Sequence, residues 1–392
     1  MDAITIKNLD VVFGSDPALA FERLDQGKSR QEIIDEVGQV VGVNNVSMSV
    51  KEGEICVLMG LSGSGKSSLL RAVNGLNPVS RGALLVKDGE QQVDLATCDQ
   101  ETLRHLRTHR VSMVFQTFAL MPWLNVLDNV AFGLEMQGIS KKVRRAKARE
   151  QLAMVGLAEW EDKFPHELSG GMQQRVGLAR AFAMDSDILL MDEPFSALDP
   201  LIRAQLQDEL LQLQKQLNKT ILFVSHDLDE ALKIGNRIAI MESGQLIQHG
   251  KPELIVLQPE NQYVRDFVAH TNPLNVLKGR SLMCPVEELT QQAQRWQVCN
   301  EQALWVEQQK QGITLVDSAH QLLDWHQEGV GLGDINDHTV VAVEPDIGMR
   351  EVIELKQRTK QPILLVEQQR LVGVLSDRQL YGALLGNFAA SA

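Results

Sequence analysis

A chain of 392 residues with 44% hydrophobic and 23% charged residues has the composition of a globular protein long enough for two or three domains. Its formal net charge of −13 argues against a nucleic-acid partner, because phosphate backbones need clustered Lys and Arg. The cysteines Cys56, Cys98, Cys284 and Cys299 show no metal-ligand spacing and suit a reducing compartment, and no apolar run reaches the length of a transmembrane helix. The first residues lack the basic-then-apolar pattern of a signal peptide, so none is expected, and any work at a membrane calls for a partner that holds the chain there.

Residues 4–13 alternate as a strand. Residues 18–38 read as a helical excursion, with Leu19, Leu24, Ile33, Ile34 and Val37 spaced among charges. A strand over 40–50 and a buried strand over 55–59 follow, then a glycine-rich turn and a helix over 67–74. From there to about residue 250, strands and helices alternate as in a mostly parallel sheet. The charged residues 138–163 read as part of an inserted helical subdomain. The pattern changes near 259–273, and the main boundary is expected near 268–275. Residues 285–312 are glutamine-rich with weak periodicity, and a compact α/β pattern returns from Thr339.

Residues 60–67 (GLSGSGKS) fit GxxxxGK[ST] between an apolar strand and a helix, the context a phosphate-binding loop requires. Gly60, Gly63 and Gly65 let backbone N–H groups converge on phosphate oxygens, and the following helix N-terminus adds favourable dipole charge. Lys66 is expected on the β- and γ-phosphates, and Ser67 on Mg²⁺. Residues 188–193 (ILLMDE) read as a doubly buried strand ending in two carboxylates. Asp192 would emerge where doubly wound sheets place ligands and bind Mg²⁺, while Glu193 would polarise the attacking water. Residues 168–175 (LSGGMQQR) form a second helix N-terminus with two glycines and a hydroxyl, hence a second anion site. In isolation, an ordinary Ser-Gly-Gly helix cap would be the better explanation of that string. One chain cannot easily bring both anion sites to one nucleotide, whereas two chains arranged head to tail can.

Over roughly residues 4–250 these motifs resemble the ATP-binding subunits of ABC transporters, with LSGG as the family signature. The resemblance implies a P-loop α/β core with an antiparallel β subdomain and an inserted helical subdomain over about 117–168. It implies ATP as ligand, with Ser62, Ser64 and Ser68 adding to the phosphate loop. It implies a Q-loop Gln116 at Mg²⁺ and water, a D-loop (196–199, SALD) contributing Asp199, a switch histidine at His226, and Phe13 under adenine, where a core role for Phe13 is equally open. Ser169, Gly170, Gly171 and Gln173 would reach the nucleotide of a homodimer partner. The implied partners are integral-membrane permease subunits and, indirectly, a periplasmic or lipid-anchored substrate-binding protein. The implied location is the cytoplasmic face of the inner membrane. Phe118, Met121, Pro122, Trp123, Phe132, Gly133 and Leu134 would offer permease helices an apolar groove, or serve as core.

The excursion at 18–38 is similar to the quaternary-amine uptake group, and the strings at 59–67 and 267–276 look most like its choline branch, with glycine betaine or proline betaine import as the alternative. Residues 362–367 and 371–377 resemble the strand–turn–strand–helix of a cystathionine-β-synthase-like (CBS) module. The expected organisation is therefore an ATPase domain over 1–268, a degenerate CBS-like segment over 276–335 with a remnant strand at 312–317, and a CBS-like domain over 336–392. Two rivals from other classes are a soluble ABC ATPase, which would carry long coiled coils or duplicated ATPase halves not evident here, and a ligand-sensing switch dominated by the tail.

Overall fold

The alternating apolar residues at the N-terminus become β1 (Asp2–Phe13), which pairs antiparallel with β2 (Val40–Lys51) in a computed structural model of the chain. The structure describes all residues except Ala197, 270, 272–275, 300–303, 310–311, 317–318, 326–330 and 385–392. Ile4, Ile6, Val43, Val46, Met48 and Val50 face one core, the two-residue period of a strand with one buried face.

The expected helical excursion is two helices, α1 (Pro17–Asp25) and α2 (Arg30–Val37). Gly27 at φ 76° turns the chain between them, and Ser29 restarts it through a capping box with Glu32. Ala20 and Ile33 bury against Val12 and Val41, whereas Leu19 is exposed. Helical spacing alone could not choose that face, because the break at Gly27 resets the phase.

Next come β3 (Ile55–Met59) and α3 (Lys66–Val73), then β4 (Arg81–Asp88) and β5 (Gln91–Asp94). The last two complete an antiparallel sheet of order β2-β1-β4-β5. After α4 (Gln100–His109) and β6 (Val111–Val114), the helices α5 (Val126–Met136), α6 (Lys141–Met154) and α7 (Gly170–Ala183) pack together through Val130, Leu134, Ala148, Leu152, Val176 and Ala179. The subdomain core therefore extends past the expected end at 168, because α7 supplies one of its walls. Gly133 and Leu134 are core, whereas Trp123 is 73% exposed. Of the rest of the expected apolar groove, Phe118, Met121 and Phe132 are half-buried and Pro122 is exposed.

The chain continues through β7 (Ile188–Asp192), α8 (Pro200–Leu217), β8 (Thr220–Val224), α9 (Leu228–Ile234), β9 (Arg237–Glu242), β10 (Gln245–Gly250), α10 (Pro252–Leu257) and α11 (Gln262–Val268). The second sheet has the order β10-β9-β3-β8-β7-β6, parallel except for β10. Its strands β3, β7 and β8 are buried at every position, as strands covered on both faces are. Their carboxyl ends deliver Gly60, Glu193 and Ser225 to one edge of the sheet, where such folds bind ligands.

On β10, the His249 Nε2 lies 3.9 Å from the Cys56 Sγ. Burial, helped by nearby Arg237, pushes the imidazole down to about 4. A folded value below the ordinary 6.5 means the native state holds this ring neutral. Its contribution is therefore complete above pH ~6.5 and is lost as pH falls toward ~4. We expect a fall in unfolding free energy of roughly 1–2 kcal/mol from this residue, discounted for its partial exposure. In chemical denaturation, His249→Gln should lose less stability than the parent between about pH 7 and about pH 5. Equal losses would dismiss this assignment.

The chain divides into two compact units, Met1–Ile255 with Pro259–Phe267, and Val256–Gln258 with Val268–Ala392. The second unit contains α12 (Gly279–Leu282), β11 (Cys284–Pro285), β12 (Gln291–Gln292), β13 (Arg295–Cys299), β14 (Leu304–Gln309), β15 (Gly312–Leu315) and β16 (Gln321–Asp324). It then runs through β17 (Thr339–Val343), α13 (Met349–Thr359), β18 (Ile363–Glu367), β19 (Arg370–Leu375) and α14 (Asp377–Leu384). The glutamine-rich segment is an antiparallel meander, β12-β13-β14-β15. Val298, Leu304 and Val306 turn inward onto Val340, Leu364 and Val374. The remnant strand expected at 312–317 is β15, an edge of this meander rather than a strand of an α/β module, and Asp317 lies outside the described residues.

The segment expected over 276–335 does not stand apart from 336–392. Its β11 and β16 are hydrogen-bonded into the sheet β11-β19-β18-β17-β16. The boundary expected at 268–275 falls partly on residues outside the described set, as does the string at 267–276. Among the described residues, no helix is long and apolar enough to cross a membrane.

Candidate active site

The turn after β3 is shaped by glycines that could be nothing else. A Cβ on Gly60, at φ 142°, would sit 2.1 Å from the Met241 carbonyl oxygen, and one on Gly65, at φ 102°, 2.4 Å from that of Gly42. No side chain caps α3, so its first-turn N–H groups are left to a ligand. Lys66 is buried, and its Nζ donates to the carbonyls of Gly60 and Leu61, both at 2.9 Å. Burial holds its ammonium below the usual lysine range, while Glu193 and Asp192 pull the other way. The Leu61 N–H donates to Tyr263 Oη at 3.2 Å, and that hydroxyl donates to the Met241 carbonyl at 3.3 Å, so α11 braces the loop.

Asp192 is 1% exposed at the end of β7. Its Oδ1 accepts from Ser67 Oγ at 2.8 Å and its Oδ2 from Arg71 Nη2 at 3.0 Å. Ser67 and Arg71 are four residues apart on α3 and so share a face. A hydroxyl and a carboxylate in contact form an all-oxygen donor set, which fits Mg²⁺ and not a softer metal. Ser67 and Asp192 would hold that ion.

Glu193 has φ 46°, a left-handed conformation that a non-glycine residue adopts at a cost of about 1–3 kcal/mol. Its N–H donates to the Val224 carbonyl at 3.2 Å, which ties it across to β8. The carboxylate Oε2 accepts from Gln116 Nε2 at 3.0 Å and lies 3.4 Å from His226 Nδ1. Two neighbours from separate loops therefore aim one carboxylate. The Gln116 amide nitrogen is engaged with Glu193, which leaves its oxygen as the atom able to meet a cation. Beneath His226, Ser225 Oγ donates to Glu230 Oε2 at 2.5 Å and Gln207 Nε2 donates to Glu230 Oε1 at 2.9 Å. This buried network, in which burial raises the Glu230 carboxyl, fixes the corner that carries His226.

These groups meet in a cleft of about 510 Å³. The loop residues Ser62, Gly63, Gly65, Lys66, Ser67 and Ser68 form one wall, and Gln116, Glu193 and His226 the other. Gly60 and Ser64 shape the loop from behind, with Ser64 buried. Phe13 stands at the cleft edge with Val40, and Gly42 makes room for it: a Cβ there would be 2.6 Å from the ring.

The signature residues are placed elsewhere. Ser169 Oγ caps α7 by accepting from the Met172 N–H. Gln173 Nε2 donates to the Pro165 and Leu168 carbonyls, so it closes the loop before α7. Asp199 caps α8 by accepting from the Ile202 N–H, and Ala197 of the same expected loop lies outside the described residues. Ser169, Gly170, Gly171, Gln173 and Asp199 form no wall of this cleft.

Sequence reasoning missed Arg30, Val40, Gly42, Arg71 and Tyr263. Arg71 carried a signal, the four-residue spacing from Ser67; the others reach the site through long-range folding with no local mark.

Residues 43–196 match the ABC transporter family. The glycine betaine/proline betaine transport system ATP-binding protein ProV of Escherichia coli (strain K12) is 52% identical over 279 residues, 71% of this chain and 69% of that protein. The protein of the same name from Salmonella typhimurium is 41% identical over 400 residues, 97% of each. Among solved structures, the ATP-binding cassette MJ0796, in a dimeric post-hydrolysis state bound to ADP and Pi, is similar with a TM-score of 0.54 and 29% identity, covering 64% of this chain and 98% of that one.

Proposed function

Because the chain belongs to the family of ABC transporter ATP-binding subunits, we propose that it hydrolyses ATP to drive uptake of a quaternary amine of the glycine betaine class. The observation that carries the hydrolytic part is the cleft lined by Lys66, Ser67, Gln116, Glu193 and His226, with Asp192 buried behind Ser67. The relatives' names favour glycine betaine and proline betaine over the choline branch that the residues at 59–67 and 267–276 suggested. Nothing in the cleft would touch the amine, so cargo is read from kinship alone.

The chemistry follows from the side chains. The α3 N-terminus and loop N–H groups hold the phosphates, and the Lys66 ammonium exchanges its two loop carbonyls for phosphate oxygens. Mg²⁺, when bound, neutralises charge on the phosphates. Glu193, aimed by Gln116 and His226, takes the proton of the attacking water. Ser169, Gly170 and Gly171 serve the nucleotide of a second copy, so the working unit is a homodimer with ATP at its interface. The helical subdomain passes closure to permease subunits at the cytoplasmic face of the inner membrane, with Trp123 its most exposed aromatic. A substrate-binding protein delivers the amine to the permease, and the tail unit regulates rather than powers the cycle.

Uptake of labelled glycine betaine and labelled choline should be compared in cells with the chain, without it, and with Lys66→Ala. The expected result is glycine betaine uptake that needs both the chain and Lys66. Uptake of choline alone would overturn the cargo, and uptake indifferent to Lys66 would overturn the ATPase role. Deleting residues 276–392 should leave ATP hydrolysis in place while altering its regulation, and a truncated ATPase domain that folds yet cannot hydrolyse ATP would refute the division of labour.

A further inference from the structure

The helical insertion between β1 and β2 brings one residue into the nucleotide cleft from a long way off in sequence. Arg30, the first residue of α2, donates from Nη1 to the Gly63 carbonyl at 2.9 Å, at the apex of the phosphate loop. The other basic groups at this end of the insertion have acid partners. Arg23 pairs with Glu36 at 2.9 Å and Lys28 with Glu36 at 2.7 Å. Arg30 differs: among the described residues no carboxylate pairs with it, and its hydrogen bond runs to a neutral carbonyl. It is half-buried in the wall that also holds Lys66 and Ser67.

The insertion is held rigidly enough to aim it. Ala20 and Ile33 pack on Val12 and Val41. Arg81 on β4 donates to buried Asp10 at 2.5 Å and to Asp25 of α1 at 3.0 Å, and its guanidinium stacks 4.6 Å from the Phe21 ring centroid. The Ser29–Glu32 capping box fixes where α2 begins, and so where its first side chain leaves the helix.

Resting on the reading of this cleft as an ATP site, we propose that Arg30 is a nucleotide-binding residue, a second cation that contacts the polyphosphate beside Lys66. A guanidinium has five N–H donors in a planar fork, and one bond to Gly63 leaves the rest of that fork for phosphate oxygens. Burial holds this guanidinium below its ordinary range, the signature of a charge that lacks a counter-ion. An anion in the cleft supplies the counter-ion. The Gly63 bond places the group at the phosphate end of the cleft rather than at the Phe13 end.

The test uses the full chain carrying Glu193→Gln, which prevents turnover, with fluorescent ATP and ADP as probes. Arg30→Ala should weaken both nucleotides by roughly tenfold, Arg30→Glu by more, and Arg30→Lys, which keeps the charge without the fork, should recover part of the loss. The loss should shrink with added salt, and the unfolding midpoint should stay at that of the parent. In the Glu193-intact chain, KM should rise by more than kcat falls. Unchanged affinity in Arg30→Ala overturns the proposal. So does weakened affinity that Lys fails to rescue and that accompanies a lowered unfolding midpoint, because the role is then structural. Lys66→Ala separates the two levels: if it abolishes binding while Arg30→Ala does not, only Arg30 is misassigned, and if neither matters, the ATP reading itself falls.

Discussion

A Glu193→Gln chain is expected to bind ATP normally yet hydrolyse it roughly 10²- to 10⁴-fold more slowly, the range over which a positioned general base contributes. The substitution keeps length and shape but replaces the basic carboxylate that takes a proton from water by a non-basic amide. The left-handed backbone at φ 46° is no harder for Gln than for Glu, so the loop should hold its conformation. Gln116 Nε2 can still donate to the remaining amide oxygen, so the wall of the cleft persists. The contacts of Lys66 with the loop are untouched. Binding should therefore survive, and the dimer, no longer reopened by hydrolysis, should accumulate with ATP on size-exclusion chromatography. The measurements are phosphate release, ATP binding and elution volume. Turnover within about tenfold of the parent would remove Glu193 from the role of base.

What could be read from the sequence was what is local. The phosphate loop needs particular residues at particular offsets, and residues 60–67 declare it within one turn of chain. The strand ending in Asp192 and Glu193 is likewise a contiguous apolar run followed by two acids. Helical spacing over 18–38 announced helix but not the break at Gly27, because one left-handed glycine costs nothing in composition. Arg30 was invisible for the same reason that it is informative. It meets Gly63 33 residues later only because Ala20 and Ile33 dock the insertion on the sheet. In the tail, glutamines diluted the alternation of Trp296 with Val298 and of Leu304 with Val306 below the level that marks a strand. The joining of β11 and β16 to the sheet of β17 is a pairing between distant segments, which periodicity does not encode.

Gly171→Asp should raise or preserve the stability of the chain while lowering hydrolysis roughly 10²- to 10³-fold, the loss typical of removing one donor to a developing oxyanion. The glycines of the phosphate loop are demanded by their own chain, since a Cβ at Gly60 or Gly65 would strike backbone oxygen. Those of the signature are not. A Cβ on Gly170 would come no closer than 3.8 Å to Phe118, and one on Gly171 no closer than 3.6 Å to Leu198, which is ordinary contact. In the first turn of α7 a carboxylate would favour the helix dipole by about 0.3–1 kcal/mol, which glycine does not. A lone chain would thus be better off with Asp at 171. The glycine makes sense when something anionic approaches that helix end from outside the chain, as the nucleotide of a second copy would. An Asp side chain there would meet the phosphates with like charge and fill their space. Such a variant should melt no lower than the parent and bind ATP through its own Lys66 loop, yet fail to form the ATP-dependent dimer of the Glu193→Gln background. Gly171→Ala supplies the uncharged comparison, with the same stability and a smaller kinetic defect. If the Asp variant dimerised with ATP and hydrolysed it within a few-fold of the parent, the signature helix would have no part in the site, and each chain would have to complete its own.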